Sequence, residues 1–241
     1  RMQHVTNHLL PSIDLEKTLE KEQDNLDAMS SQVQINEQEK ENNKNLSEKD
    51  LKKQTILDVL GVEEMEEVTN VKELEYLTKQ ITSRNSIKTI FKLNKPQEDE
   101  TFQKWVSKSK NTQTRILIHG TRCSSVLSIL KQGLKIRPSG NFQFSGKVYG
   151  NGNYFSEVVS KSLNYTGYDQ DKILLVYEVH TGNPFIYEGW YRGNSFTLDY
   201  DNLSKRGFDS THVNAGNGLL NSEIIVYNEQ QCRIKYIIWL K

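Results

Sequence analysis

The chain has 241 residues, with 31 Lys and Arg balanced by 31 Asp and Glu, so it carries no global basic field for nucleic acid. Apolar residues make up 35%, low for a single globular domain, which implies that part of the chain lies outside a core. No apolar run reaches the roughly 18 residues of a membrane span, and the N-terminus lacks the apolar segment of a signal peptide, so neither a membrane protein nor a secreted one is expected.

The first residue is Arg, the expectation for a piece of a longer protein. Residues 1–85 are polar and almost free of glycine. "DLEKTLEKEQDNLDAM" and "VKELEYLTKQI" space Leu, Met and Ile at three and four, which predicts amphipathic helices. Between them "NEQEKENNKNLSEKDLKKQ" has little to bury and reads as a solvated linker, with Ser47 a candidate N-cap for the next helix. "VLGVEEMEEVTNVKELEYL" predicts one or two short helices broken near Gly61 and Asn70. There is no internal repeat and no sustained heptad.

From about residue 86 the pattern changes. "SIKTIFKL", "TRILIHG", "KILLVYEVHTG", "SEIIVYN" and "CRIKYIIWLK" are strand-length runs of β-branched and aromatic residues bounded by turn formers. "SSVLSILKQGL" predicts a helix closed by Gly133 in the αL conformation. The elements do not alternate as βαβ units, so an α+β domain with mainly antiparallel sheet is expected over 86–241.

Several residues could carry chemistry. His119-Gly120-Thr121 stands at a strand end before a helix, where ligand groups often sit, and Gly120 permits close backbone approach; a surface histidine in a turn is the plainer reading. "GNGNYF" resembles a phosphate-cradling loop but lacks the dinucleotide fingerprint and its βαβ setting. Glu223 opens the apolar run "EIIVY", where a carboxylate is costly unless it is hydrogen-bonded or used. His212 sits on a Gly- and Asn-rich segment with no partner visible in the sequence. Cys123 and Cys232 are far apart and, with His119 and His180, fail the spacing and ligand count of a metal site, so no metal is expected and both thiols read as packing residues in a reducing compartment. G-x-S-x-G, H-E-x-x-H and Walker A motifs are absent.

Three segments in fixed order carry a resemblance. "HGTR" from His119, "GNYFSEVVSKSLNY" over Tyr154 to Tyr165, and "NSEIIVYNEQQCRIKY" around Glu223 resemble the catalytic domain of poly(ADP-ribose) polymerases, a family marked by His, Tyr and Glu on separate elements. The resemblance covers about residues 86–241 and places those three at His119, Tyr154 and Glu223. It implies the ADP-ribosyltransferase fold, two antiparallel sheets around a NAD cleft, with residues 1–85 a helical or linker region that stands where relatives carry a regulatory helical domain. It implies that NAD+ is the substrate rather than a redox cofactor, that no further cofactor is needed, and that ADP-ribose passes to acceptor proteins. His119 would hold the adenosine-side ribose, and Gly120 and Ser162 the nicotinamide amide. Tyr165 would stack on the nicotinamide, Tyr154 close the opposite side, Lys161 lie near Glu223 and the acceptor, and Glu223 stabilise the oxocarbenium-like ribose. Lys135 stands where some relatives carry Arg, which suggests an adenosine-side contact. Asn153 replaces an apolar residue of the family's "GIYFAD" and is expected on a loop. The segment from Pro184 to Leu220 would form the donor and acceptor loops. By resemblance alone the protein would be nuclear and act in the DNA damage response, with any DNA contact made through modules outside this chain; otherwise it would be cytoplasmic. Poly- and mono-ADP-ribosylation both accommodate a glutamate at Glu223. A catalytically silent NAD- or partner-binding module is the competing class, and the presence of all three signature residues weighs against it.

Overall fold

The computed structural model describes Val33 and residues 55–78, 87–136, 148–168, 170–187, 197–216 and 219–241. The chain divides into two compact units, Arg1–Lys52 and Lys53–Lys241. The helices expected over 14–29, the linker and the Ser47 cap lie outside the described residues. All elements below belong to the second unit.

That unit opens with α1 (Ile56–Val59), whose N-cap Thr55 exchanges side-chain and backbone hydrogen bonds with Asp58. The next segment corrects an expectation. Glu64–Glu67 form a strand, β1, with all four residues exposed, and pair antiparallel with β2 (Ile87–Asn94). Glutamates favour helix in isolation, but sheet pairing and the buried flanking Val62 and Val68 override that preference. The boundary expected near residue 86 therefore falls inside the folded unit. α2 (Val71–Thr78) follows as predicted.

α3 (Pro96–Lys108) begins with Pro in its first turn beside Glu98 and Asp99, ends with Lys108, and buries Phe102. β3 (Thr114–Gly120) leads to α4 (Cys123–Gln132). Gly133 ends α4 with φ +78° and ψ 173°, a positive-φ extended conformation reserved for glycine rather than the expected αL. β4 (Asn153–Phe155) and the short α5 (Val159–Leu163) precede β5 (Lys172–His180). β6 (Pro184–Tyr187), α6 (Tyr200–Lys205), β7 (Ser210–Val213), β8 (Glu223–Val226) and β9 (Cys232–Leu240) complete the unit. The span expected to form donor and acceptor loops thus contributes two strands and a helix.

The strands make two sheets, one ordered β1-β2-β9-β5-β3 and one β4-β8-β7-β6. The first is antiparallel throughout. The second is mixed: β6 and β7 run parallel, because their connection is a long crossover containing α6 rather than a hairpin. β5 lies between β9 and β3, and the burial of Leu174, Leu175, Val176, Tyr177 and Val179 explains its nearly unbroken apolar run. One core cluster joins Leu117, Tyr177, Phe155, Ile224 and Val226 across the sheets; a second joins Leu77 of α2 to Val159 of α5 and Ile238 of β9; a third gathers Tyr149, Tyr187, Val213 and Ile225.

Two buried polar side chains brace this frame. Gln231 accepts from the Tyr227 and Asn228 amides and donates to the carbonyls of His180 and Asp209. His180 accepts from Trp105 Nε1 at 3.1 Å and bonds the Asn111 carbonyl at 2.6 Å. Both are fully satisfied, as buried polar groups must be.

Candidate active site

The sheets meet where β3 passes β4. Ile118 and Ser156 exchange two backbone hydrogen bonds, each 2.9 Å, outside either ladder. The predicted site residues gather around this seam.

His119 is the penultimate residue of β3. Its Nδ1–H donates to the Tyr154 carbonyl at 2.9 Å, since a carbonyl can only accept. That fixes the neutral tautomer and leaves the lone pair on Nε2. Phe155 and Tyr177 flank the ring edge-on, at 5.8 and 6.4 Å between centroids. Burial lowers the imidazole pKa from its ordinary value, with the Tyr154 hydrogen bond opposing.

Gly120 is required by packing. A Cβ there would lie 1.8 Å from the Ser162 carbonyl oxygen. Only glycine lets the end of β3 touch the backbone of α5. Ser162, itself buried, donates from Oγ to the Ile118 carbonyl at 3.2 Å and closes the same contact from the other side.

Tyr154 is on β4, opposite Ile225 of β8. Glu223 stands two residues before Ile225, so the period of two puts Tyr154 and Glu223 on one face of the second sheet. The Tyr154 hydroxyl donates to the Gly150 carbonyl at 2.7 Å and accepts from the Tyr149 amide at 2.9 Å, which anchors the ring. Gly150 holds φ +90°, and a Cβ there would come 2.0 Å from the Leu198 carbonyl oxygen. Burial raises the Tyr154 phenol far above its ordinary range.

Glu223, at the start of β8, is 6% exposed. Its Oε1 is 2.7 Å from Lys161 Nζ of α5 and 3.5 Å from the Tyr165 hydroxyl. Burial acts to lower the Lys161 pKa, but hydrogen bonding to Glu223 and its charge outweigh this and leave it raised. Tyr165 follows α5 in a turn, 38% exposed, with Lys161 Nζ 5.9 Å from its ring centre. One buried carboxylate, one ammonium and one open aromatic face thus converge beside the His119–Gly120 corner.

Lys135 pairs with Glu229 at 2.7 Å, and Glu229 also accepts from the Ile136 amide at 2.9 Å. One expectation needs correction. Asn153 is not on a loop. It is buried in β4 and is accommodated because its Nδ2 donates to the Leu134 carbonyl at 2.9 Å.

Sequence reasoning missed a second polar group beside the first. Glu157, in the bend between β4 and α5, forms an ion pair with Arg115 of β3 and accepts from Ser222 Oγ at 3.4 Å. His212 lies near both: burial and the Arg115 charge lower its pKa and Glu157 opposes. The only sequence signal was an acid in the place of the family's Asp in "GIYFAD". Among the described residues no three His, Cys, Asp or Glu side chains are grouped to hold a metal, and no helix is long and apolar enough to cross a membrane.

A sequence model described as "Poly(ADP-ribose) polymerase catalytic domain" matches residues 62–191. The chain is 58% identical over 174 residues to poly(ADP-ribose) polymerase-like 100L of Invertebrate iridescent virus 6, covering 72% of this chain and 95% of that protein. It is 32% identical over 184 residues to poly(ADP-ribose) polymerase 2 of Arabidopsis thaliana, covering 64% of this chain and 28% of that one. Against poly(ADP-ribose) polymerase 2 of Homo sapiens it is 30% identical over 178 residues, 62% of this chain and 29% of the relative. The chain therefore spans under a third of these plant and human relatives.

Proposed function

The chain belongs to the poly(ADP-ribose) polymerase catalytic-domain family, which makes it an ADP-ribosyltransferase using NAD+ as substrate, and we propose that His119, Gly120, Tyr154, Lys161, Ser162, Tyr165 and Glu223 form its donor site. The observation that carries this reading is the buried Glu223 carboxylate, held by Lys161 and Tyr165 next to the Gly120–Ser162 contact.

The chemistry asks for that arrangement. The bond between C1′ of the ribose and the nicotinamide nitrogen breaks heterolytically, and its electron pair leaves with neutral nicotinamide. C1′ gains oxocarbenium character, which a fixed carboxylate stabilises in a water-poor setting. An acceptor nucleophile then bonds to C1′ and gives up its proton, and Glu223 is the base within reach. The exposed face of Tyr165 offers stacking to the nicotinamide ring. Gly120 offers backbone N–H and C=O to its amide, and Ser162 Oγ keeps lone pairs for the amide N–H while donating to Ile118. His119, as the Nδ1–H tautomer, accepts at Nε2 from a ribose hydroxyl.

Acceptor proteins, a nuclear location, a part in the DNA damage response and DNA contact through further modules extend this proposal on the strength of the family alone. The test is incubation with NAD+ labelled in its adenylate half, together with candidate acceptors. Wild type transfers label, and product length separates single transfer from elongation; Glu223→Gln loses elongation and most transfer. Absence of any label transfer by wild type, with activating DNA supplied, overturns the proposal.

A further inference from the structure

Glu157 links the segments that bring the donor-site side chains together. It sits in the bend that joins β4, carrying Tyr154, to α5, carrying Lys161 and Ser162. One of its oxygens pairs with Arg115 of β3, the strand that ends in His119 and Gly120. The other accepts from Ser222, the residue before Glu223. The bend is braced locally, since the Val158 amide donates to Ser156 Oγ at 3.0 Å and Ser156 is itself bonded to Ile118.

A solvent-open pocket of about 80 Å³, lined by Arg115, His212, Ser210 and Ile224, lies on the face of β8 away from Glu223. Ser222 precedes the ladder pairs of β8, which begin at Glu223, so its side-chain bond to Glu157 adds a restraint that sheet pairing does not supply. The link adds little global stability: the Arg115 and Glu157 side chains are 31% and 36% exposed, and pairs so placed contribute weakly.

We propose that Glu157 is a positioning residue for Glu223, holding Ser222, and through it the reacting carboxylate, in register with β3 and α5. The proposal rests on the reading of Glu223 as the donor-site carboxylate, and goes beyond it by assigning the restraint to a side chain that touches no substrate.

The experiment is steady-state nicotinamide release from NAD+ by wild type, Glu157→Ala, Ser222→Ala, Glu223→Gln and the Glu157→Ala/Glu223→Gln double variant. Misplacement of a reacting group by under an ångström is expected to lower kcat of Glu157→Ala about tenfold while KM for NAD+ stays within about twofold. Ser222→Ala loses about threefold in the same direction. The unfolding midpoint of Glu157→Ala stays within about 2 °C of wild type. Once Glu223 is replaced, Glu157→Ala costs less than about twofold more, because a residue acting through Glu223 has nothing left to position. A kcat for Glu157→Ala within twofold of wild type, or an equal loss in the Glu223→Gln background, overturns the proposal. Should Glu157→Ala fail to fold, Ser222→Ala decides, and an unchanged kcat overturns it. Wild type that releases no nicotinamide overturns the donor-site reading as well, so the two failures are told apart.

Discussion

His119 illustrates how a single hydrogen bond sets a chemical role. Donation from Nδ1 to the Tyr154 carbonyl makes Nε2 an acceptor, and burial resists protonation that would remove it. We predict a midpoint for His119 below 6.5 in an NMR titration; a midpoint at or above that value contradicts the burial account. The sign for stability follows. A depressed value in the folded state means that the neutral ring contributes stability above the unfolded value, lost as pH falls through the folded one. Lys161 runs the other way. Its raised value gives a contribution present below its ordinary 10.5 and lost as pH climbs through the folded value. Lys161→Ala leaves Glu223 buried without its cation, and we expect a loss of about 3 kcal/mol in urea unfolding at neutral pH. A loss under about 1 kcal/mol would mean that the pair is effectively solvated. At this scale the sequence singled out His119, Tyr154 and Glu223, and the structure brings them together, His119 bonded to the Tyr154 carbonyl and Tyr154 on the same sheet face as Glu223. The sequence was silent on the pairing of Lys135 with Glu229, 94 residues away, and on the Arg115–Glu157 tie, because ion pairs between distant segments leave no periodic trace.

At the scale of elements, strands announced by runs of β-branched and aromatic residues were legible. β3, β5, β8 and β9 are the runs "TRILIHG", "KILLVYEVH", "EIIV" and "CRIKYIIWL". β1 was not, because four exposed positions that include three glutamates give a helical propensity that only pairing with β2 reverses. β4 was not, because three residues after an Asn–Gly turn carry too little pattern, although they hold Tyr154. Contact between β3 and α5 at Gly120 is the most demanding local feature. Gly120→Ala would press a methyl into the Ser162 backbone, with no flexible side chain to yield. We predict a loss of about 3 kcal/mol in stability and failure to bind nicotinamide-mimicking inhibitors. Retention of wild-type inhibitor affinity would show that α5 can move without disturbing the pocket.

For the whole molecule, the second compact unit begins before the change in sequence character does. The expected division at residue 86 came from where β-branched residues and glycine begin to cluster, whereas the core already includes Leu60, Val62, Val68 and Leu77. A fragment spanning Lys53–Lys241 is therefore predicted to unfold in one cooperative transition, and a fragment from residue 86 onward to lose β1, α2 and that transition. Calorimetry on the two fragments distinguishes this from a domain that is complete after residue 86, for which both would melt alike. The two-sheet arrangement itself was anticipated through the family resemblance. The parallel β6–β7 pair was not, since a crossover through α6 is a matter of topology rather than of local pattern.

The account turns on one carboxylate at the seam of two sheets acting on the nicotinamide–ribose bond. Nicotinamide released from NAD+, measured without added acceptor for wild type and Glu223→Gln, tests it most directly. We predict steady release by wild type and a drop of at least about a hundredfold in the variant, the scale of losing a preorganised electrostatic stabiliser. Equal rates for the two proteins, or no release by wild type, would contradict the account.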